Sequence, residues 1–369
     1  MTRRTRVLHV IQNLNYGGME RLLADIVRRA DPERFESHVL VLQYLGRFAD
    51  GLREHAELHV AEPMSRWSMV WPASLAQTIR GIAPDVVHTH SGVWYKTTLA
   101  ARQAGVPRLI HTEHGRQTPD PWQSRVVDGL ASRRTNVVVA VSEALAAQLA
   151  RTVVKDARRI RVVINGVDTD AYRPRTESGR VRRELEIAPD VPIIGSIGRL
   201  ERIKGYDVMV EAFALLRAGW PDDPAPVLVL GGEGTERARL EQLARERGVA
   251  QAVRFLGWRD DIHELHSAFT LFTMSSRSEG TSVSLLEAMS AGLCPVVTDV
   301  GGNGAVVGEA LRHRLVPTEQ PAALAKAWCR ALRDDARRCA DGAAARARVQ
   351  QSFALDAMVR AYEGLYVGE

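Results

Sequence analysis

Cysteine is scarce: the 369 residues hold three, Cys294, Cys329 and Cys339. They form no CxxC pair and leave one over, which suits a reduced cytosol better than a secreted disulfide framework, so three free thiols are expected. Long apolar runs are missing too. Even Asn136 to Ala150 carries Glu143 and several polar positions, whereas a membrane helix needs roughly 20 apolar residues. The basic opening MTRRTRVLHVIQNLNYGGME has a short apolar run broken at Asn13 and Asn15, with no small-residue cleavage site, and reads as a first strand. A cytoplasmic location is expected, with any membrane contact peripheral, on the inner face of the cytoplasmic membrane. Lysine is the third scarcity: four stand among 49 basic residues, so a lysine inside a motif is informative.

What is present is a globular composition, 45% apolar and 25% charged, long enough for two domains. The net charge of +5 is uneven, because residues 1–175 hold 25 basic and 17 acidic side chains. That excess suits an anionic partner, a lipid surface or a phosphate-bearing acceptor, or else simply reflects arginine-rich solvated faces. Without aromatic interleaving or a basic helix, no nucleic-acid partner is expected.

β-rich runs alternate with helical patterns along the whole chain, the rhythm of parallel sheets flanked by helices. One series comprises Val7–Gln12, Ser37–Leu42, Val86–His88, Arg108–His111 and Val137–Val141. A second comprises Ile193–Ile197, Val227–Leu230, Val253–Leu256, Leu271–Met274 and Pro295–Thr298. Met19, Leu22, Leu23, Ile26 and Val27 recur at helical spacing after the first strand. Tyr172 to Pro189 has no period and is rich in charge, proline and glycine, which places a linker there, between domains 1–175 and 176–350. The last segment, 351–369, reads as an amphipathic helix through Leu355, Met358, Tyr362, Leu365 and Tyr366, packing back onto the first domain.

Three turns carry the chemistry. Gly17-Gly18, between strand and helix, lets backbone N–H groups approach an anion, or is simply a tight turn. Arg199 and Lys204 flank a second turn before a helix that Asp207 is placed to cap. They suit a diphosphate, one as a fork of donors and one as a compact charge, or form a solvated surface pair. Ser278-Glu279-Gly280-Thr281-Ser282 opens a helix in which Leu285, Leu286 and Met289 turn inward and Glu287 follows Glu279 by eight residues. Gly280 frees the loop, Thr281 or Ser282 caps the helix, and the helix start favours phosphate. Eight helical residues span roughly 12 Å. Paired glycosidase carboxylates stand only about 5 to 9.5 Å apart, so the spacing argues against simple hydrolysis. A nucleotide-sugar fits better, its sugar near Glu279 and its ribose near Glu287.

Taken in order, Gly17-Gly18, the GRLERIKG run at 198–205 and the Glu279/Glu287 pair resemble retaining glycosyltransferases of family 4. Asn165-Gly166-Val167-Asp168, Phe255-Leu256-Gly257 and Thr298 to Asn303 extend the likeness over the chain. The resemblance implies a GT-B fold, two Rossmann-like domains facing across a cleft. It implies a sugar moved from a nucleotide-sugar, UDP favoured over GDP, with retained configuration. It makes His114, in His111-Thr112-Glu113-His114-Gly115, a histidine that contacts the donor sugar beside Glu279; His88 and His90, by their own strand-end position, are expected to support the cleft floor. Similarity to transferases of bacterial exopolysaccharide assembly implies a glycan or lipid-linked acceptor. Two departures stand out: Thr235 replaces a frequent proline, and Gly304-Ala305 replaces a common Pro-Glu pair.

No metal and no cofactor are expected. His111 and His114, three apart on a loop, match neither a zinc geometry nor a helix face, and Asp168-Thr169-Asp170 reads as a structural connector. Arg199 and Lys204 can offset diphosphate charge without a divalent cation. Rivals are a nucleotide-sugar epimerase of the same fold, a non-catalytic binding module, whose expected mark would be damage at Glu279 or His114, and a nicotinamide oxidoreductase, which lacks its G-x-G-x-x-G and following acidic residue here. Arg66, Trp67, Met69, Val70 and Trp71 form either an interfacial patch or the packed start of a helix. The stretch Gly257 to Asp261 is expected to contact the base.

Overall fold

The computed structural model describes residues 3–15, 17–63, 71–116, 121–175 and 179–369. The chain divides into two compact units, Met1–Gly166 with Leu355–Glu369, and Val167–Ala354.

The first unit holds strands β1 (Thr5–Asn13), β2 (Phe35–Tyr44), β3 (Glu57–Val60), β4 (Val86–His90), β5 (Arg108–Glu113), β6 (Val137–Ala140) and β7 (Ile160–Val162). Helices α1 (Gly18–Arg29), α2 (Ala73–Ile82), α3 (Trp94–Gln103), α4 (Trp122–Ser132) and α5 (Glu143–Thr152) lie between them. All pairings are parallel, in the order β3-β2-β1-β4-β5-β6-β7. Because side chains alternate along a strand, Leu8, Val10 and Leu40 enter one apolar layer while Ile11, Val39 and Val41 enter the other.

The second unit repeats the scheme with β8 (Ile193–Ile197), β9 (Val227–Gly231), β10 (Val253–Gly257), β11 (Leu271–Met274), β12 (Pro295–Thr298) and β13 (Leu315–Val316). Its parallel order is β10-β9-β8-β11-β12-β13. Its helices are α6 (Gly179–Glu184), α7 (Tyr206–Ala218), α8 (Arg237–Glu246), α9 (Ile262–Ala268), α10 (Val283–Ser290), α11 (Asn303–Val307), α12 (Pro321–Leu332) and α13 (Asp335–Ser352). The α/β class and the two parallel sheets are as the sequence predicts.

The stretch read as a linker is not one. Tyr172, Val181 and Ile187 are buried in the second unit's core and α6 lies within it; the division falls at Gly166/Val167 instead. The last helix, α14 (Leu355–Val367), belongs to the first unit. Leu355, Met358, Tyr362, Leu365 and Tyr366 are all buried, and Glu363 accepts from the Asp31 N–H at 2.9 Å, just beyond α1.

In each sheet the strand order reverses once, beside β1 in the first and β8 in the second, so the following loops diverge and leave a crevice at the strands' carboxyl ends. Gly17, His114, Arg199, Lys204 and Glu279 all lie on such carboxyl-end loops. Among the described residues no helix is long and apolar enough to cross a membrane. Arg66, Trp67, Met69, Val70 and Tyr16 lie outside the described residues; Trp71 is 67% exposed, so it packs in no core.

Candidate functional site

In the second unit, Leu200 anchors the loop after β8. It is fully buried, which is worth roughly 1.5–3 kcal/mol, and its backbone exchanges hydrogen bonds with Glu233 and Glu236 on the loop after β9. Gly205 turns the chain at φ 66°, where an added Cβ would meet the Ser275 carbonyl at 2.1 Å. This close approach sets Lys204 against the loop after β11. Lys204 Nζ donates to both oxygens of Glu279, at 2.7 and 2.9 Å. The Ser276 hydroxyl donates to the same carboxylate at 2.6 Å, and Thr298 Oγ1 holds the Ser276 carbonyl at 2.8 Å. Glu279 is therefore a nearly buried carboxylate, its side chain 7% exposed, held by a cation and a hydroxyl.

Around it the backbone is crowded. Gly301 has φ 54°, and a Cβ there would come within 1.8 Å of the Glu279 carbonyl. The Gly302 N–H donates to the Gly280 carbonyl at 2.9 Å. Thr281 and Ser282 are buried at the start of α10, and Ser282, rather than Thr281, is the cap: its Oγ accepts from Leu285 N. Glu287 lies buried one turn further on. Arg199 is exposed and has no carboxylate partner among the described residues. The residues that the sequence reading assigns to a donor in this unit thus lie on neighbouring loops, with Lys204 and Glu279 in direct contact.

Asp207 does not cap α7. The cap is Gly205, and the Asp207 carboxylate instead takes a forked pair from Arg277, at 2.9 and 3.0 Å. Burial acts to raise the Asp207 carboxyl, but Arg277 outweighs it and holds the group below its ordinary value. Arg277 also pairs with Glu319, and its N–H donates to Ile203 O, so it ties the loops after β8 and β11 together. Thr235, where the resemblance led to a proline, donates from Oγ1 to Glu201 at 2.9 Å, a bond proline cannot make. Asp261, expected near the base, is drawn into pairs with Arg259 and Arg180.

The first unit's loops carry a different chemistry. Gly17 precedes α1 at φ 149°, with no side-chain cap, and Gly18 begins the helix. His114 follows β5, its N–H donating to Ser91 Oγ at 2.8 Å and its Nε2 standing 3.1 Å from His90 Nδ1. His90 Nε2 in turn lies 3.5 Å from His9 Nδ1. His88 is held between Tyr366 OH at 2.9 Å and Thr112 Oγ1 at 2.7 Å, and Tyr362 OH reaches the same threonine. His111 points elsewhere, with Nδ1 on Thr89 Oγ1 and its ring stacked 3.8 Å from that of Trp94. Burial drives these rings neutral: His114 falls to about 4, His9 to about 3, and His88 and His90 well below 6.5. Glu113 is the buried charge. Burial alone would raise it, yet the nearby His111, the Ser91 hydroxyl and Arg116 bring it down to about 2. Arg116 also reaches Asp128 at 2.8 Å. A cavity of about 910 Å³ lies beside this group, lined by Trp94, Lys96, His111, Glu113 and Arg116 among others. Asp168 Oδ1 accepts from the N–H groups of Asp170 and Ala171, at 3.0 Å each, and so shapes its own turn.

The residues that sequence reasoning missed are mostly partners: Ser276, Arg277, Ser91 and the two tyrosines of α14. Arg277 sits in plain view two residues before Glu279, but its partner Asp207 is 70 residues away.

Two parallel sheets each carry polar loops at the strands' carboxyl ends, one of them holding a lysine–carboxylate pair beside a glycine cradle, the architecture the GT-B resemblance leads one to expect. The model of the glycosyl transferases group 1 matches residues 178–348, and that of glycosyltransferase family 4 matches residues 16–171. A D-inositol 3-phosphate glycosyltransferase of Jonesia denitrificans is 32% identical over 290 residues, covering 72% of this chain and 68% of the relative. One of Corynebacterium urealyticum is 31% identical over 279 residues, covering 70% and 66%. The chain thus spans about two thirds of these relatives' length. The crystal structure of Anabaena Alr3699/HepE in complex with UDP and glucose superimposes with a TM-score of 0.87 at 22% identity, covering 99% of this chain and all of that one. The chain belongs to the family 4 glycosyltransferases.

Proposed function

We propose that this glycosyltransferase moves a sugar from a nucleotide-sugar, UDP in preference to GDP, to a glycan or lipid-linked acceptor in polysaccharide biosynthesis, with retention of configuration and without a metal ion. The observation that carries the reading is the contact between Lys204 and Glu279 at the mouth of α10. A diphosphate arriving there takes Lys204 as a counter-charge, draws on exposed Arg199 and on the N–H groups at the helix start, and releases Glu279 toward a sugar hydroxyl. The positive charge then stabilises the departing nucleoside diphosphate, the role a divalent cation fills elsewhere. Retention follows from front-face attack in which the leaving phosphate takes the acceptor proton.

His114 enters as a neutral hydrogen-bonding group. With its pKa lowered by burial to about 4, it carries no charge at neutral pH, so it orients a sugar hydroxyl and does not act as an acid. The Anabaena structure holds UDP and glucose, which favours UDP here. The names of the two relatives point to a second acceptor, a phosphorylated polyol, which the basic first half also suits.

The test is a thermal-shift screen of UDP, GDP, ADP and their sugar conjugates, with and without EDTA, on wild type and Lys204→Ala. One nucleotide, expected to be UDP, should raise Tm, with EDTA making no difference and the variant losing the shift. A shift seen only with a nicotinamide cofactor, or one abolished by EDTA, would sink the reading.

A further inference from the structure

The first unit contains two clusters of imidazoles, and they differ in setting: one is buried among rings and hydroxyls, the other stands at a sheet edge beside an exposed carboxylate. In the buried group of His9, His88 and His90, both nitrogens of His88 and both of His90 already meet protein partners. The second cluster lies at the opposite side of the switch point, on the outer edge of the sheet, where β3 pairs only with β2. In the parallel register His38 is level with Glu57 and Leu40 with His59. Glu57 and His59, two apart, share a face of β3. His38 Nδ1 stands 3.1 Å from His59 Nε2 and 3.6 Å from Glu57 Oε2, and Glu57 Oε1 is 3.9 Å from His59 Nε2.

The network assigns the proton on His38. Its Nε2 lies 3.0 Å from Glu36 Oε1, and a carboxylate only accepts, so Nε2 carries the hydrogen and Nδ1 of the neutral ring is a lone pair. That lone pair takes the His59 Nε2–H at 3.1 Å and has the Glu57 carboxylate 3.6 Å away, too far for a hydrogen bond. A cation that displaces the proton shared by the two imidazoles finds three ligand atoms, two ring nitrogens and a carboxylate oxygen, converging on one point. We propose that His38 Nδ1, His59 Nε2 and Glu57 bind a divalent transition-metal ion of zinc's type, with water completing a tetrahedron.

The spacing agrees. Nitrogen and oxygen ligands at about 2.0–2.1 Å from tetrahedral zinc stand roughly 3.3 Å from one another; the observed separations are 3.1, 3.6 and 3.9 Å, the widest to the exposed Glu57 side chain. The support behind the first ligand is also built. Glu36 orients His38 and is itself held by Arg6 on β1, through Nε at 3.1 Å and Nη2 at 3.3 Å. A carboxylate behind a ligating histidine fixes the ring and raises its basicity. The chain Arg6–Glu36–His38 thus runs from β1 to β2 and ends on the proposed ion. Mixed nitrogen and oxygen donors with no thiolate favour zinc, nickel or copper over magnesium or calcium. The ion's work here is to fasten a four-residue edge strand. It takes no part in the transfer reaction, and its failure would leave the transferase reading as it stands.

The experiment uses the full chain without a histidine tag, stripped with EDTA and returned to buffer. Zinc chloride is titrated against a chromophoric chelator, with cobalt absorption reporting the geometry. Wild type should bind one zinc per chain and show tetrahedral cobalt bands. Glu36→Gln should weaken binding roughly 10- to 100-fold, as loss of a supporting carboxylate does, and His59→Ala should weaken it further. Glu57 is 69% exposed, so Glu57→Gln keeps the fold and tests a ligand even if the histidine variant does not fold. Absence of zinc binding at micromolar concentration, or binding unchanged by Glu57→Gln and Glu36→Gln, overturns the proposal.

Discussion

The two units solve one problem, holding polar groups at the carboxyl ends of a parallel sheet, with opposite chemistries. The second unit uses charge against charge: Lys204 on Glu279 and Arg277 on Asp207. The first uses mainly neutral rings, with one buried ion pair, Glu113 on Arg116, at the edge of the group. His9, His88, His90 and His114 are stripped of charge by burial; the rings of His9, His90 and His114 meet one another, and His88 meets the hydroxyls of Thr112 and Tyr366. The difference teaches what each loop set is ready to meet. Ion pairs can exchange partners with an incoming anion, whereas a neutral network can only orient hydroxyls.

Acid should separate the two most strongly. The unfolded histidines titrate near 6.5, while in the folded chain His114 lies at about 4 and His9 at about 3. Below pH 6.5 the unfolded chain therefore takes up protons that the folded chain refuses. Stability is full above that pH and falls by about 1.4 kcal/mol per pH unit for each such histidine as the pH drops toward the folded values. The ion pairs of the second unit rest on carboxylates such as Asp207 and Asp261, which are held below their ordinary range and survive this window. Peptide-level hydrogen exchange between pH 6.5 and 4.5 should show protection lost first in residues 5–13, 86–90 and 355–367. Simultaneous loss in 193–197 and 271–274 would break the comparison.

Next in size is Glu279→Ala. On the proposed function it removes the group that meets the sugar and leaves Lys204 for the diphosphate, so kcat should fall roughly 10²- to 10³-fold with little loss of nucleotide affinity. Steady-state product formation beside a UDP titration checks the split, and an unchanged kcat would remove Glu279 from the chemistry. Smallest is Gly301→Ala. Its positive φ and the 1.8 Å approach to the Glu279 carbonyl predict about 1–3 kcal/mol of lost stability. A lower Tm accompanied by a weaker UDP shift would tie the cradle to the donor site.

The central strands of both sheets were legible in the sequence because apolar runs such as Val137 to Val141 are buried on both faces. The strands that were not, β3, β7 and β13, are all at sheet edges, two to four residues long and partly exposed, with Glu57, His59 and Arg161 breaking the pattern. The same division holds at the site. Glycines, Lys204 and the spacing of Glu279 and Glu287 are local features of the chain. The pairing of Lys204 with Glu279, 75 residues apart, and of His88 with Tyr366, 278 apart, arises only when strands take their order. The apparent linker misled for a related reason: its charged residues are solvated, while Tyr172, Val181 and Ile187 are buried at irregular spacing.

The return of α14 to the first unit also has a meaning for synthesis. Everything else in that unit leaves the ribosome before Val167, yet the hydroxyls of Tyr362 and Tyr366 that complete His88 and Thr112 come only after Ala354. The unit made first is thus finished last. Until translation has passed through the whole second unit, the nascent first sheet carries an uncovered groove and lacks the Tyr366 partner of His88, and it is in this interval that the chain is open to chaperones and to misassembly.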